Sequence, residues 1–249
     1  MAKFNNTMKP IPWYYIYSPK YEIFHHILMS SIGPTDDFMM NPVFLPQEAF
    51  SNTYSISGKH FFAGNVLKIE YIIRALEKHP GEHVIVSDVD IIANNVSYLR
   101  TYLEEYKNND MTFSHDTDNE NRNIGFAFIK STPETITFFK TVYDKIKKTN
   151  GQDQVIVNEL LPTFSGRHGF YKYNIITQTN KYKTKDHYCI LQLLCSNAET
   201  YEKNLFEKLV SVVKVLDITD LLHLIPNDVL ETLRWYFQQN YPDHYISKL

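Results

Sequence analysis

Apolar positions along this chain form short continuous runs, separated by stretches in which they recur every three or four residues, the alternation expected of buried strands and amphipathic helices. Trp13 to Tyr17 is the first run, and Ser18-Pro19 caps and opens a helix through Ile23, Ile27 and Leu28. A short strand is expected at Val43 to Leu45 and a loop from Phe50 to Gly58. Helical spacing returns at Val66, Ile69, Ile72, Ile73 and Leu76, stops at His79-Pro80-Gly81, and gives way to the apolar run Val84-Ile85-Val86. A helix near Val96 to Tyr106, a strand at Met111 to Phe113, a polar loop from Asp116 to Asn123 and a strand at Ile124 to Ile129 follow. Ser131-Thr132-Pro133-Glu134 reads as a capping box with Pro in the first turn, starting a helix to about Lys147. Beyond it the pattern predicts a helix over Asp153 to Leu161, a mobile loop at Thr163 to Gly169, and strands at Tyr171 to Ile176 and Tyr188 to Cys195. Helices over Ala198 to Leu216 and Asp228 to Gln239 complete the pattern. Strands alternating with helices imply an α/β domain with a mostly parallel sheet, whose ligands bind beyond the carboxyl ends of the strands.

Composition narrows the classes of function. The 249 residues are 43% hydrophobic and 21% charged, with a formal net charge of −3, so no global positive field exists to hold a polyanion, and nucleic acid is not expected as a partner. Two cysteines, Cys189 and Cys195, are too few for a disulfide framework and favour a reducing compartment. The first ten residues lack an apolar segment and no stretch is long enough to span a bilayer, so a soluble, cytoplasmic protein without an integral membrane segment is expected. Aromatics reach 14%, and Trp13, Tyr15 and Tyr17 near the first strand either stack on a base or fill the core.

Chemistry is expected after Val84-Ile85-Val86, where Ser87-Asp88-Val89-Asp90 stands at a strand end. In extended chain, residues i and i+2 project to the same side, so Asp88 and Asp90 can approach one hard divalent cation. Asp116-Thr117-Asp118 repeats the spacing, but in an Asp/Asn/Glu-rich loop where a solvated turn is the simpler reading. In Asn123-Ile124-Gly125-Phe126, Gly125 permits close approach to the backbone, and Asn123 offers donors and an acceptor to sugar hydroxyls; a turn with a strand-entry glycine explains the same residues. Gly151-Gln152-Asp153-Gln154 heads a helix, where Asp153 has an ordinary role as cap or first-turn acid.

Taken in order, the apolar strand into Ser-Asp-Val-Asp, then Asn-x-Gly-Phe with a trailing Ser-Thr, then Asp-Gln at a helix start followed by Asn158, resemble the nucleotide-diphospho-sugar transferases of the GT-A fold over roughly Lys68 to Leu161. The resemblance implies a Rossmann-like sheet flanked by helices: one domain over residues 1–249, with a nucleotide-binding half to about 115, an acceptor half to about 195, and C-terminal helices. It implies a metal-dependent glycosyltransferase that moves a sugar from a nucleotide-sugar, a UDP-sugar first, to a hydroxyl of a glycan or glycoconjugate. Mn²⁺ or Mg²⁺ would be held by Asp88 and Asp90, with Asn123 and Gly125 lining the sugar pocket, Gln154 beside it, and Asp153 facing the reacting sugar. Lys68 takes the place of a basic residue near the diphosphate, and Arg167 is a further candidate if its loop closes. The family often adds a His after a late strand as a metal ligand; Gln192 stands where it would be sought, with His187 nearby.

An apolar strand into Asp-x-Asp also opens phosphatases of the haloacid dehalogenase type. Against them, more than eighty residues precede the motif, Ile92 stands where Thr or Val is expected, and no Gly-Asp-x-x-x-Asp follows. A sugar-phosphate nucleotidyltransferase would need a glycine-rich loop where Tyr17-Ser18-Pro19-Lys20 stands. A non-catalytic sugar-binding relative is the remaining alternative, and donor turnover separates it from an enzyme.

Overall fold

A computed structural model describes residues 9–46, 59–116, 121–172, 176–178, 188–193, 200–245 and 248–249. The elements run β1 (Ile11–Tyr17), α1 (Glu22–Ile32), β2 (Phe38–Phe44), α2 (Lys59–Lys78), β3 (His83–Ser87), β4 (Ile91–Ala93) and α3 (Val96–Glu104), then β5 (Met111–His115), β6 (Arg122–Lys130), α4 (Pro133–Thr149) and α5 (Asp153–Leu160). After these come β7 (His168–Phe170), β8 (Ile176–Gln178), β9 (Ile190–Gln192), α6 (Tyr201–Val215) and α7 (Asn227–Asn240).

Six strands form the main sheet in the order β2-β1-β3-β6-β5-β7. Only β6 runs against its neighbours; β1 pairs in parallel with β2 and β3, and β5 with β7. The expected mostly parallel α/β architecture is the one observed. A smaller sheet, β4-β9-β8, lies beside it. Alternation along the strands assigns the two faces. Val84 and Val86 of β3, with Met111, Phe113, Ala127 and Ile129, pack against α2, α4 and α5. Trp13, Tyr15, Ile85, Phe126 and Phe128 pack the other way, against α1, α3, α6, α7 and the small sheet. Trp13 and Tyr15 are thus core residues.

Several boundaries differ from the expected ones for local reasons. β2 is seven residues long, and Pro42 within it is tolerated because β2 is an edge strand. Of the predicted strand at Tyr171 to Ile176, Tyr171 and Lys172 are outside any strand, 173–175 lie outside the described residues, and Ile176 opens β8 in the smaller sheet; part of the predicted loop at Thr163 to Gly169 is β7. The cap of α4 sits one residue later than the sequence suggested: Thr132 and Thr135 cap each other, while the Ser131 hydroxyl donates to the Leu76 carbonyl at 2.6 Å. No described helix is long and apolar enough to cross a membrane.

Candidate active site

β3 delivers its last residues to the carboxyl edge of the sheet. There the Ser87 hydroxyl accepts from the Trp13 indole at 2.8 Å, both groups being buried, which fixes where the strand stops. The next backbone is pinned from two sides. The Asp88 amide donates to the Gly125 carbonyl at 2.8 Å, and the Leu193 amide donates to the Asp90 carbonyl at 3.0 Å. Val89 is buried in the core between the two aspartates, as i/i+2 alternation requires.

Two lysines from different helices meet these carboxylates. Lys68 of α2 donates to Asp88 Oδ1 at 2.6 Å and lies 3.6 Å from Asp153 Oδ2, so one ammonium ties the strand end to the head of α5. Lys208 of α6 pairs with Asp90 Oδ2 although it is only 3% exposed. Burial pushes the Asp153 carboxyl above the ordinary carboxylate range; Lys68 offsets part of that, and Asp88 adds to it. For Lys68 burial acts downward, but Asp88 and then Asp153 outweigh it and the net shift is upward, so the ammonium stays charged.

Other expected residues sort by position. Asn123 and Gly125 lie in an irregular stretch of β6, where the register against β5 jumps between Phe113 and Ser114. Asn123 Oδ1 accepts from the Gly125 amide at 2.7 Å. The room that Gly125 leaves is taken by protein: a Cβ there would stand 1.8 Å from Gln192 Nε2. Gln154 donates to Asp116 Oδ2 at 2.7 Å, linking α5 to the polar loop, and Asn158 bonds both backbone groups of Arg122. Asp118 and His187 lie outside the described residues. Arg167 is not brought to the site. Its carbonyl accepts from Asp110 and Met111, at the start of β5, and β5 runs in the same direction as β3, which places it at the opposite edge of the sheet. Lys208 was missed by sequence reading; its one signal is a lysine on the same helical face as Leu205, Leu209 and Val212.

Beside Lys68 a shallow recess lies between β1 and α2, lined among others by Tyr14, Ile16, Val43, Tyr71 and Ser87. It offers aromatic walls next to a cation. Among the described residues no three His, Cys, Asp or Glu side chains gather around a point fit for a metal ion. A divalent cation at Asp88 and Asp90 would therefore draw on neutral oxygens too. The nearby Gln192 turns its amide nitrogen to Asp88, 3.4 Å from Oδ2, while its Oε1 is buried without a hydrogen-bond partner. Two carboxylates are the hard oxygen donors that Mg²⁺ or Mn²⁺ takes, and a cation there would compete with the two ammonium groups that hold them.

The fold has known counterparts. A glycosyltransferase involved in glycosylation of the major capsid of PBCV-1 superposes with a TM-score of 0.55 at 15% identity, covering 79% of this chain and 99% of its own. GlyE of Streptococcus pneumoniae TIGR4 gives 0.55 at 11% identity, over 93% of this chain and 64% of that one. The bifunctional glycosyltransferase WbbM gives 0.51 at 11%, over 84% and 50%. At such identities these relationships establish the GT-A fold. No curated protein sequence matches the chain significantly. The family model of nucleotide-diphospho-sugar transferases, however, matches residues 67–205, from the neighbour of Lys68 through Asp88, Asp90, Asp153 and Gln192. It spans more than half of the chain, and the chain belongs to the nucleotide-diphospho-sugar transferase family.

Proposed function

We propose that this transferase moves a glycosyl unit from a UDP-sugar to a hydroxyl of a glycan or glycoconjugate, at the carboxyl edge of β3. The observation that carries the reading is the position of Lys68, whose ammonium joins Asp88 at 2.6 Å and Asp153 at 3.6 Å. It sets a cation for the donor diphosphate and a buried acid side by side, with Tyr14 and Tyr71 lining the recess beside them. Asp88 and Asp90 would hold Mg²⁺ or Mn²⁺, which supplies charge to offset that growing on the leaving diphosphate. Lys68 adds a positive charge to the same end of the donor and needs no rearrangement to do so. Asp153, 6% exposed and held by Lys68, faces the reacting carbon. In an inverting reaction it takes the acceptor proton; in a retaining one it stabilises cationic character on the sugar.

The test is a thermal-shift panel of nucleotide-sugars with and without Mn²⁺, followed by donor hydrolysis and transfer assays on each hit. We expect a uridine diphosphate sugar to raise the melting temperature and to turn over. Asp153→Asn should retain donor binding and lose on the order of 10²-fold or more in turnover. Donor binding without any turnover would favour a non-catalytic sugar-binding relative, and near-normal turnover in Asp153→Asn would reduce that residue to a first-turn acid of α5.

A further inference from the structure

Across the sheet from β1, on the far side of β3, a cation stands on an aromatic plate. Arg122 opens β6, which begins where β3 and β5 end, so it lies at the same carboxyl edge as Asp88. Its register partner is His115, the last residue of β5, and Phe170 ends the edge strand β7 beyond β5. The guanidinium carbon is 4.5 Å from the centre of the Phe170 ring, and the His115 imidazole stacks on that ring at 4.0 Å, tilted by only 6°. Asn158 of α5 fixes the base of the arginine: its Oδ1 accepts from the Arg122 amide at 2.7 Å, and its Nδ2 donates to the Arg122 carbonyl at 2.8 Å. The charge balance differs from that of the lysines nearby. Lys68 and Lys208 are each matched to an aspartate, whereas no described carboxylate pairs with Arg122, and its Nε is buried without a hydrogen-bond partner. His168 of β7 offers no counter-charge: its Nδ1 is also buried and unpartnered, and burial, then the Arg122 charge, holds its imidazole below the ordinary value. A partly desolvated guanidinium without a counter-charge is costly unless an anion from outside completes it.

We propose that Arg122 recognises an anionic group on the acceptor, so that the glycan this enzyme extends carries a carboxylate or a phosphate. Stacking on Phe170 holds the guanidinium plane, and its fork of N–H groups matches the two oxygens that either group presents. Helix α5 sets the distance. Asp153 heads that helix and Asn158 follows five residues later, about 7.5 Å along the axis. An anion held at Arg122 therefore sits roughly one or two sugar rings from a hydroxyl presented to Asp153. The recess beside Lys68 is on the β1 side of β3, which leaves the β6 and β5 side for the acceptor. This inference rests on the transferase reading for what the anion is attached to, and on Arg122 alone for the anion.

Saturation-transfer NMR titrations of the intact chain with methyl glucuronide, glucose 6-phosphate and methyl glucoside test it, first alone and then with excess UDP and Mg²⁺. In the wild type at least one of the two acids should bind about tenfold or more tightly than the neutral glycoside, and which one does so tells a carboxylate from a phosphate. Arg122→Gln should erase that difference while affinity for methyl glucoside stays as it was. Arg122→Lys keeps the charge but not the planar fork and should retain only part of the preference, which keeps the test intact if the Gln variant fails to fold. An arginine that only supports the fold would move all the probes together. Equal binding of acidic and neutral probes to the wild type, an undiminished preference in either variant, or a parallel loss for every probe in Arg122→Gln would each overturn the assignment. So would displacement of the acids by UDP, which would put them at the donor end. If no nucleotide-sugar is turned over while the acid preference and its dependence on Arg122 persist, the transferase reading fails and the anion site stands; donor turnover without any acid preference is the reverse failure.

Discussion

Lys208 has an unusual setting for a lysine. Its ammonium is paired with Asp90 and lies 5.3 Å from the centre of the Tyr21 ring and 5.8 Å from that of Phe24, so it leaves water for a carboxylate and two aromatic faces. Removing one member of such a pair leaves the other charge buried, whereas removing both can be nearly neutral. Lys208→Met preserves most of the stem and deletes the charge. We expect it to lower unfolding stability by about 3 to 5 kcal/mol, and the double variant Lys208→Met with Asp90→Asn to recover much of that loss. Denaturant melts in EDTA read the cycle, and a Met variant as stable as wild type would mean that the pair contributes nothing to the fold. Mg²⁺ should restore part of the stability of the single variant, because the cation supplies the charge that the lysine no longer does.

At the scale of elements, the parts most legible in the sequence are those that a single face dictates. The run Val84-Ile85-Val86 is β3, the spacing from Val66 to Leu76 lies on α2, and Asp153 opens α5. Less legible are elements defined by partners distant in the chain. β4 and β9 are three-residue strands that exist because each satisfies the other's backbone, and neither has a periodicity of its own to read. Gly125 is the sharpest instance. Local chemistry suggests a place for a ligand to approach, but the space is filled by Gln192, which arrives from 67 positions later in the chain. Gly125→Ala must push that carboxamide aside, and overpacking at a buried strand should lower stability by about 1 to 3 kcal/mol. Pairing it with Gln192→Ser makes room for the methyl and should return most of the loss. If the double variant is no more stable than Gly125→Ala alone, the constraint at Gly125 is the backbone and not the glutamine.

The molecule as a whole is nearly balanced in charge, at −3, so its acid sensitivity is set less by net repulsion than by which groups the two cores have desolvated. Four histidines share one direction of shift: burial holds His25, His79, His83 and His168 below the ordinary imidazole value. They sit in different elements. His83 opens β3, its ring stacked on Phe128 at 4.4 Å and its Nε2 bonded to the Asn109 carbonyl at 3.1 Å, while His25 stacks on Tyr17 at 4.4 Å. A histidine whose folded value lies below its unfolded value of about 6.5 binds fewer protons in the native state, so stability is full above that pH and is lost as pH falls through it towards the folded value. Asp153 works in the opposite sense, since its folded value is raised, but it is one group against four. Between about pH 7.5 and 5.5 the histidines therefore decide the sign. We expect the urea midpoint to fall steadily over that interval with little change in the slope of the transition. His83→Phe keeps a ring on Phe128 and removes one titrating group; whatever the loss of its bond to Asn109 does to absolute stability, its profile should be shallower than that of the wild type. A midpoint independent of pH across the interval, or a variant profile as steep as wild type, would mean that protonation of these rings is tolerated in the folded state and that their burial does not govern acid unfolding.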